Sequence, residues 1–138
     1  MEQRDLIKDQ IEQLGKVLGQ ILAGFLGFKS SGQIDQGIKV TNRQLKSELD
    51  IDIDELVTAS KNELKKYMVE RKMATRHFES LGEYLREIGE RKMSNDKNMA
   101  KIYLMKSLEL LDLEDEISQT ISFERLNLKS KIENMLQQ

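Results

Sequence analysis

The stretch Val17 to Phe28, VLGQILAGFLGF, is apolar almost all the way round a helix, and the way it is covered decides how the other elements are arranged. Through it and upstream of it, Ile7, Ile11, Leu14, Leu18, Ile21, Phe25 and Phe28 recur at spacings of four and three. That period places all of them on one stripe of a helix about four heptads long. Lys8, Asp9, Glu12, Gln13 and Lys16 line the opposite side of its first half. From Val17 onward the back consists of Gly19, Gln20, Ala23, Gly24 and Gly27, with Gly15 one turn earlier. A glycine inside a helix costs about 1 kcal/mol relative to alanine, so a close neighbour is expected to recover that loss. Gly15, Gly19 and Ala23 stand at four-residue steps and make a smooth groove for another helix backbone.

Three coverings are open for this helix: its own chain, a second copy, or a membrane. The apolar run is shorter than the span of about 20 residues that a bilayer requires. A helix lying in the interface would also keep a charged back. The expected neighbour is therefore the helix that follows Gly32, with self-association through Gly15, Gly19 and Ala23 as the alternative.

Composition narrows the function classes. A chain of 138 residues suits one helical domain, residues 1–138, with a single core. Lys and Arg number 22 against 24 Asp and Glu, which argues against a dedicated nucleic-acid binder, whose affinity rests on excess positive charge. Cysteine is absent, which removes disulfides, thiolate metal sites and cysteine nucleophiles, and agrees with a reducing compartment. Proline is absent too, as in helices joined by short polar turns. Before the apolar run lies a mixed-charge amphipathic half-helix rather than a basic patch, so a secretory signal is not expected and a cytoplasmic location is.

Further along, Gly32 in KSSGQ (29–33) marks the first turn, and Ile34, Ile38, Thr41, Leu45 and Leu49 trace one face of an antiparallel second helix. Gly37 flanks that face and would allow close approach. Asp50, Asp52 and Asp54 imitate the start of a calcium loop, but Glu55 stands where its glycine should be and Lys61 where its bidentate glutamate should be. Helix capping and first-turn placement explain these aspartates better. A short helix around Asp52 to Thr58 fits, and Ser60 with Glu63 makes a capping box for a helix from Lys61. Lys61, Lys65, Lys66, Arg71, Lys72 and Arg76 form a basic stretch that is either a solvated face or a contact for an anionic partner.

Met73, Phe78, Leu81, Leu85 and Ile88 carry the next stripe, and Ala100, Tyr103, Leu104, Leu108 and Leu111 another, ending near Asp112. Ile121, Leu128, Ile132 and Leu136, with Phe123 and Leu126 beside them, predict a last helix from about Ser118 that closes the core. His77 is the one histidine, expected half-buried or at the surface. Without a second histidine or a cysteine it anchors no zinc site of the usual composition, and no nucleophile is identified for it to activate. No catalytic, metal-ligating or cofactor-binding set emerges.

Phe78, Leu81, Gly82, Leu85 and Gly89, followed by Ala100, Leu104, Ser107 and Leu108, resemble the two helices of a tetratricopeptide-type hairpin, with a longer connection than the repeat has and without its closing proline. Together with IEQLGKVLGQIL and SFERLNLKSKIENML, the chain is similar to a family of small uncharacterised bacterial proteins of that type. The resemblance implies an all-α fold of roughly five to six antiparallel helices packed as irregular tetratricopeptide-like hairpins, a protein or peptide partner, and neither catalysis nor cofactor. It implies a contact surface at Arg76, Glu79, Glu83 and Arg86. The expected function is a non-catalytic protein-interaction module, scaffold or adaptor in kind, with a self-associating structural protein as the alternative.

Overall fold

The computed structural model describes residues 2–138, with side chains from residue 6 onward. It is all-helical: α1 (Glu2–Ser30), α2 (Ile34–Leu49), α3 (Ile53–Thr58), α4 (Lys61–Glu70), α5 (Thr75–Lys92), α6 (Lys97–Ser118) and α7 (Phe123–Leu136). Seven helices among the described residues exceed the expected five to six. No described helix is long and apolar enough to cross a membrane. The chain divides into two compact units, Met1–Ala74 and Thr75–Gln138.

In the first unit, α1 and α2 form an antiparallel hairpin. Gly32 turns it at φ +74, and Gln33 N–H donates to Phe28 O at 2.9 Å, which satisfies an end carbonyl of α1. Leu18, Ile21 and Phe25 of the α1 stripe are buried, as are Gly37, Thr41, Leu45 and Leu49 of α2. Towards its N-terminus the stripe emerges: Leu14 and Ile11 are half-buried and Ile7 is exposed. Gly37 is where the hairpin is tightest, because a Cβ there would lie 2.6 Å from Phe28 Cβ.

The expectation that α2 backs the glycine side of α1 is not met. Gly19, Ala23, Gly24 and Gly27 are exposed, and among the described residues no atom beyond the helix's own neighbouring backbone lies within 4 Å of where a Cβ would stand at Gly19, Gly24 or Gly27. The large side chains of the opposite stripe yield more apolar burial than glycine can, so α2 packs on them.

Asp50 ends α2 in the left-handed conformation, φ 55. Asp52 caps α3 by accepting from Glu55 N–H at 3.3 Å, so these aspartates act as helix-end residues. Tyr67 and Arg71 of α4 hold this corner. The Tyr67 hydroxyl accepts from Asp52 N–H at 2.8 Å and donates to Asp50 O at 3.3 Å. The Arg71 guanidinium stacks 3.4 Å from the Tyr67 ring centroid and reaches Asp50 Oδ2 at 3.3 Å. Ser60 and Glu63 complete the capping box of α4. At the other end, Lys72 takes the left-handed position (φ 57) usually given to glycine, and the buried Met73 donates its N–H to Met68 O at 3.1 Å.

The second unit is built on the α5–α6 hairpin. A Cβ at Gly89 would stand 2.8 Å from Leu104 Cγ, and one at Gly82 would stand 3.3 Å from Leu111 Cδ2, so both glycines lie at the helix contact. The Ser107 hydroxyl donates to Gly82 O across the same contact. His77 is buried, at 4% exposure, which corrects the half-buried or surface expectation. It shares the inward face of α5 with Phe78, Leu81 and Leu85. Burial, and then the nearby Arg76 charge, hold its pKa below the ordinary histidine value. The helix α6 does not end near Asp112 but continues to Ser118, and α7 starts after the Ser122 cap rather than near Ser118.

Candidate interaction site

Leu128 and Ile132 join Leu104 and Leu111 in a buried cluster, bordered by Met93, Leu108, Met135 and Leu136. Arg125 lies one turn before Leu128 and Lys129 one turn before Ile132, both beside the acidic end of α6. Arg125 Nη1 lies 2.7 Å from Glu114 Oε2, and Arg125 Nε lies 2.6 Å from Asp115 Oδ1. The Arg125 guanidinium also donates to Thr120 O at 3.2 Å. Lys129 Nζ lies 2.8 Å from Asp112 Oδ1 and pairs with Asp115 as well. α7 is therefore fastened by an apolar end and an ionic end.

The ionic end is dense enough to move protonation equilibria. Burial pushes the Glu114 carboxyl above the ordinary glutamate value, with Arg125 opposing and Glu79 reinforcing the rise. Burial does the same to Glu79, where Arg125 again opposes and Glu83, Glu124 and Asp115 add to the rise. Burial would also raise Asp115, but hydrogen bonds from Lys129 and Arg125 win and hold it below the ordinary aspartate value.

Of the set Arg76, Glu79, Glu83 and Arg86, Arg76 and Glu83 are exposed and Glu79 and Arg86 half-buried. Arg86 is turned along its own helix, 2.8 Å from Glu87 and 2.7 Å from Glu90. Glu79 is within electrostatic reach of α7, while Glu83 is exposed on α5 and Arg76 is exposed next to buried His77. The basic stretch is also divided. Arg71 is committed to Asp50, Lys66 lies 3.9 Å from Glu70, and the chain breaks at Lys72, so Arg76 falls in the other unit. Of the groove residues on α1, Gly15 is half-buried and Gly19 and Ala23 are open.

Two surfaces stand out instead. One is the open glycine side of α1, next to Leu26, which is 54% exposed. The other spans the α6–α7 turn, where Ile121 is 78% exposed, Phe123 86% and Leu126 43%. Sequence periodicity placed Ile121 on the stripe of the last helix, with Phe123 and Leu126 beside it. The Ser122 cap leaves Ile121 ahead of the helix, and Phe123 and Leu126 share the side of α7 opposite Leu128 and Ile132. The pairing of Arg125 and Lys129, four apart, with the acidic run 112–116 was the signal that could have set the rotation of α7.

The first unit also holds an open depression of about 340 Å³ lined by Glu55, Thr58, Glu63, Lys66, Tyr67 and Glu70. Its four ionisable side chains other than Tyr67 are three carboxylates and one lysine. Among the described residues, no three His, Asp or Glu side chains converge as a metal ion would require. Compared with known proteins, the chain matches no family model, no curated protein and no solved structure.

Proposed function

We propose that the protein is a non-catalytic interaction module of helical hairpins, working in the cytoplasm and engaging a protein partner. The observation that carries this reading is the set of exposed apolar side chains Ile121, Phe123 and Leu126, just ahead of and on the first turn of a helix whose other face already holds it in the fold. Single exposed apolar residues are ordinary on a protein surface, but concentrated ones mark contact sites. The tetratricopeptide-like kind of hairpin is part of the proposal. Supporting it, Gly82, Gly89, Leu104 and Ser107 meet at the α5–α6 contact.

Quantitative affinity capture from the producing cells, with wild type and Phe123→Ser compared, tests the reading. A discrete protein retained by wild type and lost by the variant is the expected result. Indistinguishable profiles would remove the reading.

A second reading, self-association through α1, is favoured by the open glycines of that helix. It calls for a solution mass that rises with concentration and a loss of that rise in Gly19→Leu. A strict monomer at all concentrations contradicts it.

A further inference from the structure

The turn between α6 and α7 is held differently from those after α2 and α4. Asp50 after α2 and Lys72 after α4 stand in the left-handed conformation, and in each case the next residue donates back into the helix: Ile51 N–H to Leu45 O at 3.0 Å and Met73 N–H to Met68 O at 3.1 Å. Gln119 after α6 is also left-handed, φ 55, a strained position for a residue with a side chain. Among the described residues, no backbone hydrogen bond from Thr120 or Ile121 closes that turn. Side chains hold it instead. The Ser118 hydroxyl donates to Glu114 O at 2.6 Å and lies 2.7 Å from Thr120 Oγ1, and Arg125 donates to Thr120 O at 3.2 Å. Gln119, Thr120 and Ile121 are exposed.

Beyond the turn, α7 meets a matched seat. Leu128 and Ile132 lie with Leu104 and Leu111, Arg125 pairs with Glu114 and Asp115, and Lys129 pairs with Asp112 and Asp115. Apolar and charged contacts at these spacings select one segment in one register. They do not select the chain that supplies it, because only the turn 119–122 ties α7 to its own hairpin. A short turn under strain beside a matched surface is the arrangement from which identical elements exchange between copies.

We propose that α7 exchanges between two copies of this chain: the turn 119–122 opens, and each copy's α7 seats on the α5–α6 hairpin of the other with the same apolar and ionic contacts. Such a pair keeps what fastens α7 and sheds the left-handed strain at Gln119. It is distinct from association through α1, whose glycines take no part, and it does not depend on a different protein being bound.

The test follows the intact chain by light scattering and native mass spectrometry after unfolding in urea and refolding over a range of chain concentrations. Wild type is expected to give a dimer fraction that grows with refolding concentration, dissociates slowly on dilution and persists in Gly19→Leu. Arg125→Glu and Glu114→Arg each set like charges against each other at the seat. When the two are refolded together, the altered residues of the two chains face each other in an exchanged pair, and the unaltered Arg125 and Glu114 do the same. The mixture is expected to form at least about ten times more dimer than either variant refolded alone, nearly all of it with one chain of each kind. Wild type that is monomeric at every refolding concentration overturns the proposal. So does a dimer that Gly19→Leu removes, or a folded mixture with no preference for mixed pairs. If neither variant folds, alone or together, the wild-type and Gly19→Leu results decide.

Discussion

Arg125 and Glu114 form an ion pair at 2.7 Å with their side chains only 10% and 3% exposed. A buried pair of this kind contributes little net stability, but losing one partner strands the other charge away from water. Arg125→Met is therefore expected to destabilise the fold by about 3–5 kcal/mol. The double variant Arg125→Met/Glu114→Met should recover most of that loss. Urea unfolding of the wild type, both single variants and the double variant measures the coupling, and additive effects would contradict it.

Two neighbouring carboxylates give stability opposite dependences on pH. Asp115 is held below its ordinary value, so its contribution is fully present above the unfolded aspartate value of about 3.9 and is lost as pH falls through the folded value. Glu114 is raised, so keeping it ionised costs stability as pH climbs from the ordinary glutamate value of about 4.3 through its folded value. Unfolding free energy followed from pH 7 downward should show a shallower acid-side fall in Asp115→Asn. Glu114→Gln should lose the opposing slope above the ordinary glutamate value.

The glycines divide into two classes. At Gly37 an added Cβ would meet the Phe28 side chain at 2.6 Å, so Gly37→Ala should destabilise by about 1–3 kcal/mol. At Gly19 and Gly24 the space is open, so alanine should stabilise the monomer by about 0.5–1 kcal/mol at each. Thermal denaturation of the single variants decides between these signs.

Tyr67→Phe leaves the ring under Arg71 but removes the acceptor for Asp52 N–H and the donor to Asp50 O. A loss of about 1–2 kcal/mol is expected. Hydrogen exchange at the Asp52 amide should accelerate in the same variant if the hydroxyl holds that corner.

Much of the fold could be read from local chemistry. The α1 stripe, the Gly32 turn, the inward face of α2, the Asp52 cap and the Ser60–Glu63 capping box each follow from short-range spacing, and the structure contains them. What escaped depends on choices that spacing does not encode. Lys72 fills a left-handed position without glycine, so residue type did not mark the turn that ends α4. The apolar stripe of α6 was expected to end near Asp112, yet Glu114 beyond it is buried and Arg125 reaches it from another helix. That same pairing rotates α7 and turns Phe123 and Leu126 outward. The glycine side of α1 was expected to need cover, and only the structure shows that Gly19, Gly24 and Gly27 have none within 4 Å among the described residues.

Photo-crosslinking in the producing cells tests the central claim most directly, with the reactive side chain placed at position 123 in one variant and at position 19 in another. The expected result is a discrete adduct from position 123 that contains a different protein. An adduct from position 19 at twice the chain mass would place self-association on α1. Absence of any discrete adduct from position 123 would contradict the assignment of a partner surface to the α6–α7 turn.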